Sequence, residues 1–146
     1  MLETRELASD RDIIDAFPLM RELRPHLRAE TFLAQIRQQQ SEGYRLFGGF
    51  LERRLVALAG VRDACTLSRG PHLFVDDLVT ARDDQRRGHG RAMMRHLADH
   101  AADRGFDTIH LDSRDIALGF YQRIGFEPHT SVPCRITVKA LRATPP

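Results

Sequence analysis

The spacing of apolar residues changes several times along this chain, and each change marks an element. Leu2 to Leu7 reads as a short strand. Ser9 or Asp10 can cap a helix carrying Ile13, Ile14, Phe17 and Met20, limited or bent by Pro18 and Pro25. A second helix carries Phe32, Leu33 and Ile36 on one face and ends near Gly43. From Tyr44 the period shortens. Tyr44 to Leu51 and Leu55 to Arg62 form a hairpin around Glu52-Arg53-Arg54, and a third strand, Leu73 to Thr80, follows the turn Ser68-Arg69-Gly70-Pro71. The helical period returns at about Gly90 to Arg104, with Met93, Leu97 and Ala101 four apart beside Met94 and Ala98, and Gly105 as its end.

Thr108 to Leu111 is a short strand, after which Asp112 or Ser113 can cap a helix with Ala117, Phe120, Tyr121 and Ile124 on one stripe and Gly125 at its close. Phe126 to His129 and Cys134 to Leu141 read as late strands, the first confined to an edge or bulge by Pro128 and Pro133. The expected order is β α α β β β α β α β β. It predicts a single α/β (α+β) domain over residues 1–146, with about four helices on both faces of a mixed sheet and Thr144-Pro145-Pro146 as a loose tail.

Composition narrows this little. With 146 residues, 42% hydrophobic and 29% charged, the chain suits one soluble core. No apolar run approaches a membrane span, and the charged start Met1 to Glu6 has no export signal, so a cytoplasmic protein without membrane attachment is expected. The net charge of +2, from 22 basic and 20 acidic residues, does not point to nucleic acid. Cys65 and Cys134 lack metal or redox spacing and read as small core or strand residues.

The chemistry gathers after the third strand. Gln85-Arg86-Arg87-Gly88-His89-Gly90 lies between a strand and a helix, where successive amides and a helix N-terminus make a concavity for phosphate. Arg82, Arg86, Arg87 and Arg91 add charge there; a solvated turn with scattered arginines is the plain alternative. A Walker loop and a Rossmann loop both fit poorly, since there is no G-K-[ST] and no third Gly at the Rossmann spacing.

Together with Ala117-Leu118-Gly119-Phe120-Tyr121-Gln122-Arg123-Ile124-Gly125-Phe126, this turn resembles the GNAT acetyltransferases, whose motifs read Q/R-x-x-G-x-G/A and A-x-x-F-Y-x-x-x-G-F. The resemblance implies a splayed, mostly antiparallel sheet of six to seven strands and acetyl-CoA as cosubstrate, without a metal. It implies cofactor contacts from Leu78, Val79 and Thr80, from Gln85, Arg86, Arg87, Gly88, His89, Gly90 and Arg91, and from Ala117, Phe120 and Tyr121. Arg114 departs from the family, many of whose members have Asn three residues before the motif's Ala.

An attacking amine must lose a proton, and the leaving thiolate must gain one. Tyr121 takes the position of the acid that the resemblance implies, although its place on a helical stripe also fits a core residue. Asp76 and Asp77 are unusual within a strand; alternation would send one toward the acceptor unless a bulge turns both, and an early strand end would leave them solvated. The pair is similar to the acidic pair of diamine and polyamine N-acetyltransferases, which implies a cationic small-molecule amine as acceptor, ahead of a protein amine, and leaves room for a homodimer. A noncatalytic acyl-CoA sensor is the competing class, with no use for Tyr121 or the acids. Nucleic-acid binding ranks last, because Asp83, Asp84 and Asp99 dilute the arginines. Among the histidines, His26, His72, His110 and His129 line the cleft or lie on the surface, and His96 and His100 share an exposed helical face.

Overall fold

The computed structural model describes residues 1–145, so Pro146 of the expected tail lies outside it. The chain forms two compact units, Met1–Leu111 and the residues from Asp112 onward. In the first, five strands lie in sequence order in one sheet: β1 (Glu3–Glu6), β2 (Tyr44–Leu51), β3 (Arg54–Thr66), β4 (Gly70–Thr80) and β5 (Ile109–Leu111). Only the β4–β5 pair is parallel. Three helices, α1 (Asp10–Leu23), α2 (Ala29–Ser41) and α3 (His89–Asp103), belong to the same unit.

Alternation along β2 sorts the helices onto opposite faces. Tyr44 and Leu46 are buried in one core with Ile13, Ala16 and Met20 of α1 and Phe32 and Ile36 of α2. Phe47 points the other way and meets His96 and His100 of α3 edge-on, at centroid distances of 5.3 and 5.1 Å. Fully burying a side chain such as Ile13 contributes about 1.5–3 kcal/mol. Ser9 caps α1, its hydroxyl accepting from the Asp12 amide at 3.1 Å. The helix runs through Pro18 rather than stopping there; the ring and Ile14 both face solvent, so water can reach the carbonyl that the proline leaves without a donor.

Several expectations need correction. The hairpin strands β3 and β4 pair as far as Thr66 and Gly70, because backbone hydrogen bonding continues past the apolar run. Ile14 and Ala98 are exposed, whereas His96 and His100 are half-buried against Phe47. Both cysteines are free and exposed, Cys65 within β3.

The second unit holds α4 (Asp115–Arg123) and α5 (Val138–Ala143). Arg114 is the N-cap of α4 with no side-chain cap bond, so neither Asp112 nor Ser113 caps it. The two late strands are absent, leaving five strands among the described residues instead of six or seven. Pro128 and Pro133 remove ladder donors, and over the second stretch Thr137 starts a helix instead. Its hydroxyl accepts from the Ala140 amide at 3.1 Å, ahead of the helix-forming run Lys139-Ala140-Leu141-Arg142-Ala143. Thr144 is also tied down, through its hydroxyl to the Ala140 carbonyl at 3.2 Å.

Candidate functional site

The acidic pair sits at an irregularity of β4. Gly60 pairs with Asp77 and Val61 with Val75, so Asp76 is an extra residue with no partner on β3. This bulge turns both carboxylates toward the α1–α2 face. Asp76 accepts two bonds from Arg62, one of them at 2.8 Å, while Asp77 accepts from the Tyr44 hydroxyl at 2.8 Å and from Arg24 Nε at 3.0 Å. Arg24 Nη2 also donates to the Asp76 carbonyl at 2.8 Å. Two hollows meet at this point. One, of about 690 Å³, is lined by residues including Met20, Leu27, Phe32 and Tyr44; the other, of about 390 Å³, by Glu42, Arg62 and Asp76. Arg24, Gln39 and Asp77 line both, which makes Asp77 the more central carboxylate.

Tyr44 is 2% exposed, and burial, followed by the neighbouring Asp77, raises its pKa well above that of a free phenol. Its hydroxyl therefore stays protonated at neutral pH and donates. Donating to the Asp76 carboxylate likewise raises the pKa of Arg62.

Beyond the bulge, β4 loses its neighbour on one side. Pairing with β5 covers only Leu73, Phe74 and Val75, so from Asp76 to Thr80 no strand among the described residues pairs with that edge. The strand then leads through a 3-10 turn, Arg82–Asp84, into the glycine turn. Gln85 Nε2 reaches back to the Thr80 carbonyl at 3.4 Å. Arg86 and Gly88 both have positive φ, 63° and 85°, and no side chain caps the amides that open α3. The first-turn amides of a helix have no carbonyl partner within it, so this end presents donors and a positive dipole. A Cβ added at Gly88 would meet nothing within 4 Å, which leaves the approach to the turn open.

Asp84 braces the turn from behind. It is 2% exposed and accepts from Arg54 Nη1 at 2.6 Å and Nη2 at 3.0 Å, with Arg87 at 3.8 Å. The hydrogen bonds from Arg54 lower its pKa. Arg54 opens β3, so the brace ties the turn to the β2–β3 hairpin.

Within the second unit, Tyr121 contacts Phe120 and Phe126 edge-on, with centroids 5.1 and 5.6 Å apart. Burial raises its pKa, against an opposing effect of Arg114. Ala117, Phe120, Tyr121 and Ile124 are half-buried, as their spacing predicts.

Of the histidines, His26 lines the larger hollow, whereas His72 is buried in β4, bonded through Nδ1 to the Gly70 carbonyl at 2.8 Å. The first unit thus brings together Asp76, Asp77, the strand Leu78–Thr80 and the turn Gln85–Arg91. Sequence reasoning missed Arg24, Tyr44, Gly60, Arg62, Arg54 and Asp84. Gly60 carried the one available signal, a glycine inside an apolar strand, which often marks a bulge or close approach. No helix among the described residues is long and apolar enough to cross a membrane.

Comparison with known proteins places the fold and the family. The uncharacterised N-acetyltransferase YhdJ of Bacillus subtilis is 30% identical over 131 residues, covering 86% of this chain and 92% of that protein. A Trypanosoma brucei acetyltransferase superposes with a TM-score of 0.76 at 23% identity, over 94% of this chain and all of the other. The aminoglycoside N-acetyltransferase AAC(6')-Iy, solved in complex with CoA, gives 0.80 at 16% identity, over 94% and 95% of the two chains. The model of the acetyltransferase (GNAT) family matches residues 11–126, both motifs included, and the chain is a member of that family of acyltransferases.

Proposed function

We propose that the protein transfers the acetyl group of acetyl-CoA to a primary amine of a small molecule. The observation that carries this reading is the edge of β4 that no strand of the sheet pairs beyond Val75, which leads from the two carboxylates toward a helix N-terminus with no side-chain cap. That edge offers backbone pairing to an amide-bearing pantetheine arm, and the amides of Arg86 to Arg91 offer donors to the pyrophosphate. When bound, acetyl-CoA supplies the activated acyl group. A backbone N–H near Leu78 and Val79 that faces this edge would polarise its carbonyl.

Asp77 lies beside the acceptor hollow and orients the amine, taking its proton directly or through water; Asp76 shapes the same wall while held by Arg62. Tyr121 donates the proton that the leaving thiolate requires, a role its raised pKa permits, because it stays protonated at neutral pH. A small-molecule acceptor is in keeping with the aminoglycoside enzyme, which acts on one.

The test is an amine screen with acetyl-CoA, following free thiol, over putrescine, spermidine, glucosamine, an aminoglycoside and a lysine peptide. Turnover of one of the first four above the peptide supports the reading; turnover of the peptide alone overturns the small-molecule acceptor. Calorimetry without binding of acetyl-CoA overturns the cofactor assignment.

A further inference from the structure

We propose that Tyr44 is the positioning residue for Asp77, reaching across β3 through a gap that exists because residue 60 has no side chain. The inference rests on the reading of Asp77 as the carboxylate that meets the acceptor.

Tyr44, Gly60 and Asp77 lie on three successive strands, β2, β3 and β4, with Gly60 the register partner of Asp77. The Tyr44 hydroxyl spans from the first strand to the third, ending 2.8 Å from Asp77 Oδ2. A Cβ placed on Gly60 would lie 1.8 Å from that hydroxyl oxygen and 2.4 and 2.6 Å from Cζ and Cε2 of the ring. No residue but glycine lets the ring take this path. Glycine weakens a strand interior, and a buried hydroxyl must be desolvated, so phenylalanine beside a larger residue would be the ordinary choice for core packing.

The two ends of the carboxylate are held by different means. Oδ1 faces Arg24, whose side chain is 38% exposed at the end of α1 and has more torsions to hold in place. Oδ2 faces Tyr44, which is buried and has only two side-chain torsions. The phenol is therefore the rigid partner. It also lines the larger hollow beside Asp77, so loss of its hydrogen bond frees the carboxylate to rotate within the acceptor space.

The experiment compares Tyr44→Phe, Asp77→Asn and the double variant in the full chain, with acetyl-CoA and the amine of the five above that wild type turns over fastest. Tyr44→Phe is expected to lower kcat about tenfold with acetyl-CoA affinity within twofold of wild type. On the Asp77→Asn background the same change is expected to cost nothing further, because the group it positions is gone. A purely packing role moves thermal stability alike in both backgrounds and leaves kcat unchanged; that result, or equal losses of kcat in both backgrounds, overturns the proposal. If Asp77→Asn alone keeps full turnover, the acceptor reading fails and the positioning role with it. If Asp77→Asn loses turnover while Tyr44→Phe does not, only the positioning role fails.

Discussion

At the hollow beside the bulge, the proposed acceptor site, each carboxylate already has partners: Arg62 holds Asp76, and Tyr44 and Arg24 hold Asp77. At the glycine turn, where we propose that the pyrophosphate binds, the groups on offer are main-chain amides, and the one buried carboxylate, Asp84, braces the turn through Arg54. The first region depends on side chains converging from β2, β3, β4 and the end of α1. The second depends on backbone shape over a few consecutive residues. A substitution in the first should therefore alter turnover and packing, whereas one in the second should alter cofactor affinity.

The largest expected effect tests whether turnover rests on side-chain chemistry. Tyr121→Phe keeps the ring and removes the proton; general acid catalysis is worth about 10²- to 10⁴-fold, so kcat should fall at least tenfold with acetyl-CoA affinity little changed. Steady-state kinetics beside calorimetry on the purified variant would check it, and full activity would return the phenol to a packing role.

Gly60→Ala comes next. Its Cβ cannot share space with the Tyr44 hydroxyl, so the ring must move, at a cost of about 1–3 kcal/mol in stability. Thermal unfolding measures that loss. Equal stability of variant and wild type would mean that the acceptor network is looser than the comparison requires.

Gly88→Asp attacks the other region. A residue at φ 85° is strained with any Cβ, and a carboxylate at the opening of α3 repels phosphate, so acetyl-CoA affinity should fall by about tenfold or more. Calorimetry on a folded variant decides it; unchanged affinity would place the pyrophosphate elsewhere.

The smallest effects separate the regions by pH. The Tyr44 pKa is raised, so above about pH 10 unfolding releases a proton that the native state keeps, and stability falls as pH rises. The Asp84 pKa is lowered, so its contribution is complete above about pH 4 and is lost as pH falls through the native value. Chemical unfolding across pH should show Tyr44→Phe flattening the alkaline limb and Asp84→Asn the acid limb. A variant that flattens the other limb would show that its group does not titrate as its surroundings require.

How legible each region was follows from the same difference. The conformation of the glycine turn could be read because glycine spacing encodes backbone shape locally, and the strand before it and the helix after it showed in the apolar period. The bulge at Asp76 was visible only as an oddity, two acids in a strand, since the register shift depends on β3. Tyr44 and Arg24 were out of reach, lying 33 and 53 residues from Asp77 in sequence. The late strands misled because Cys134 to Leu141 is apolar enough for a strand, while the Thr137 cap that starts a helix is a single residue.

Beyond Val75 one edge of β4 is left without a partner strand among the described residues. Bare strand edges are templates for unwanted pairing between chains, and long flat ones invite aggregation. This one spans only Asp76 to Thr80, bounded by the bulge at its start and the 3-10 turn Arg82–Asp84 soon after its end. A foreign strand docking there would find about five residues of register, interrupted at both ends, which is short for a stable sheet addition. An arm whose amides are separated by flexible methylene units has no need of a long, regular ladder. If this edge holds the pantetheine arm as proposed, the interruptions work as a filter, open to a thin, flexible arm and poorly suited to another polypeptide.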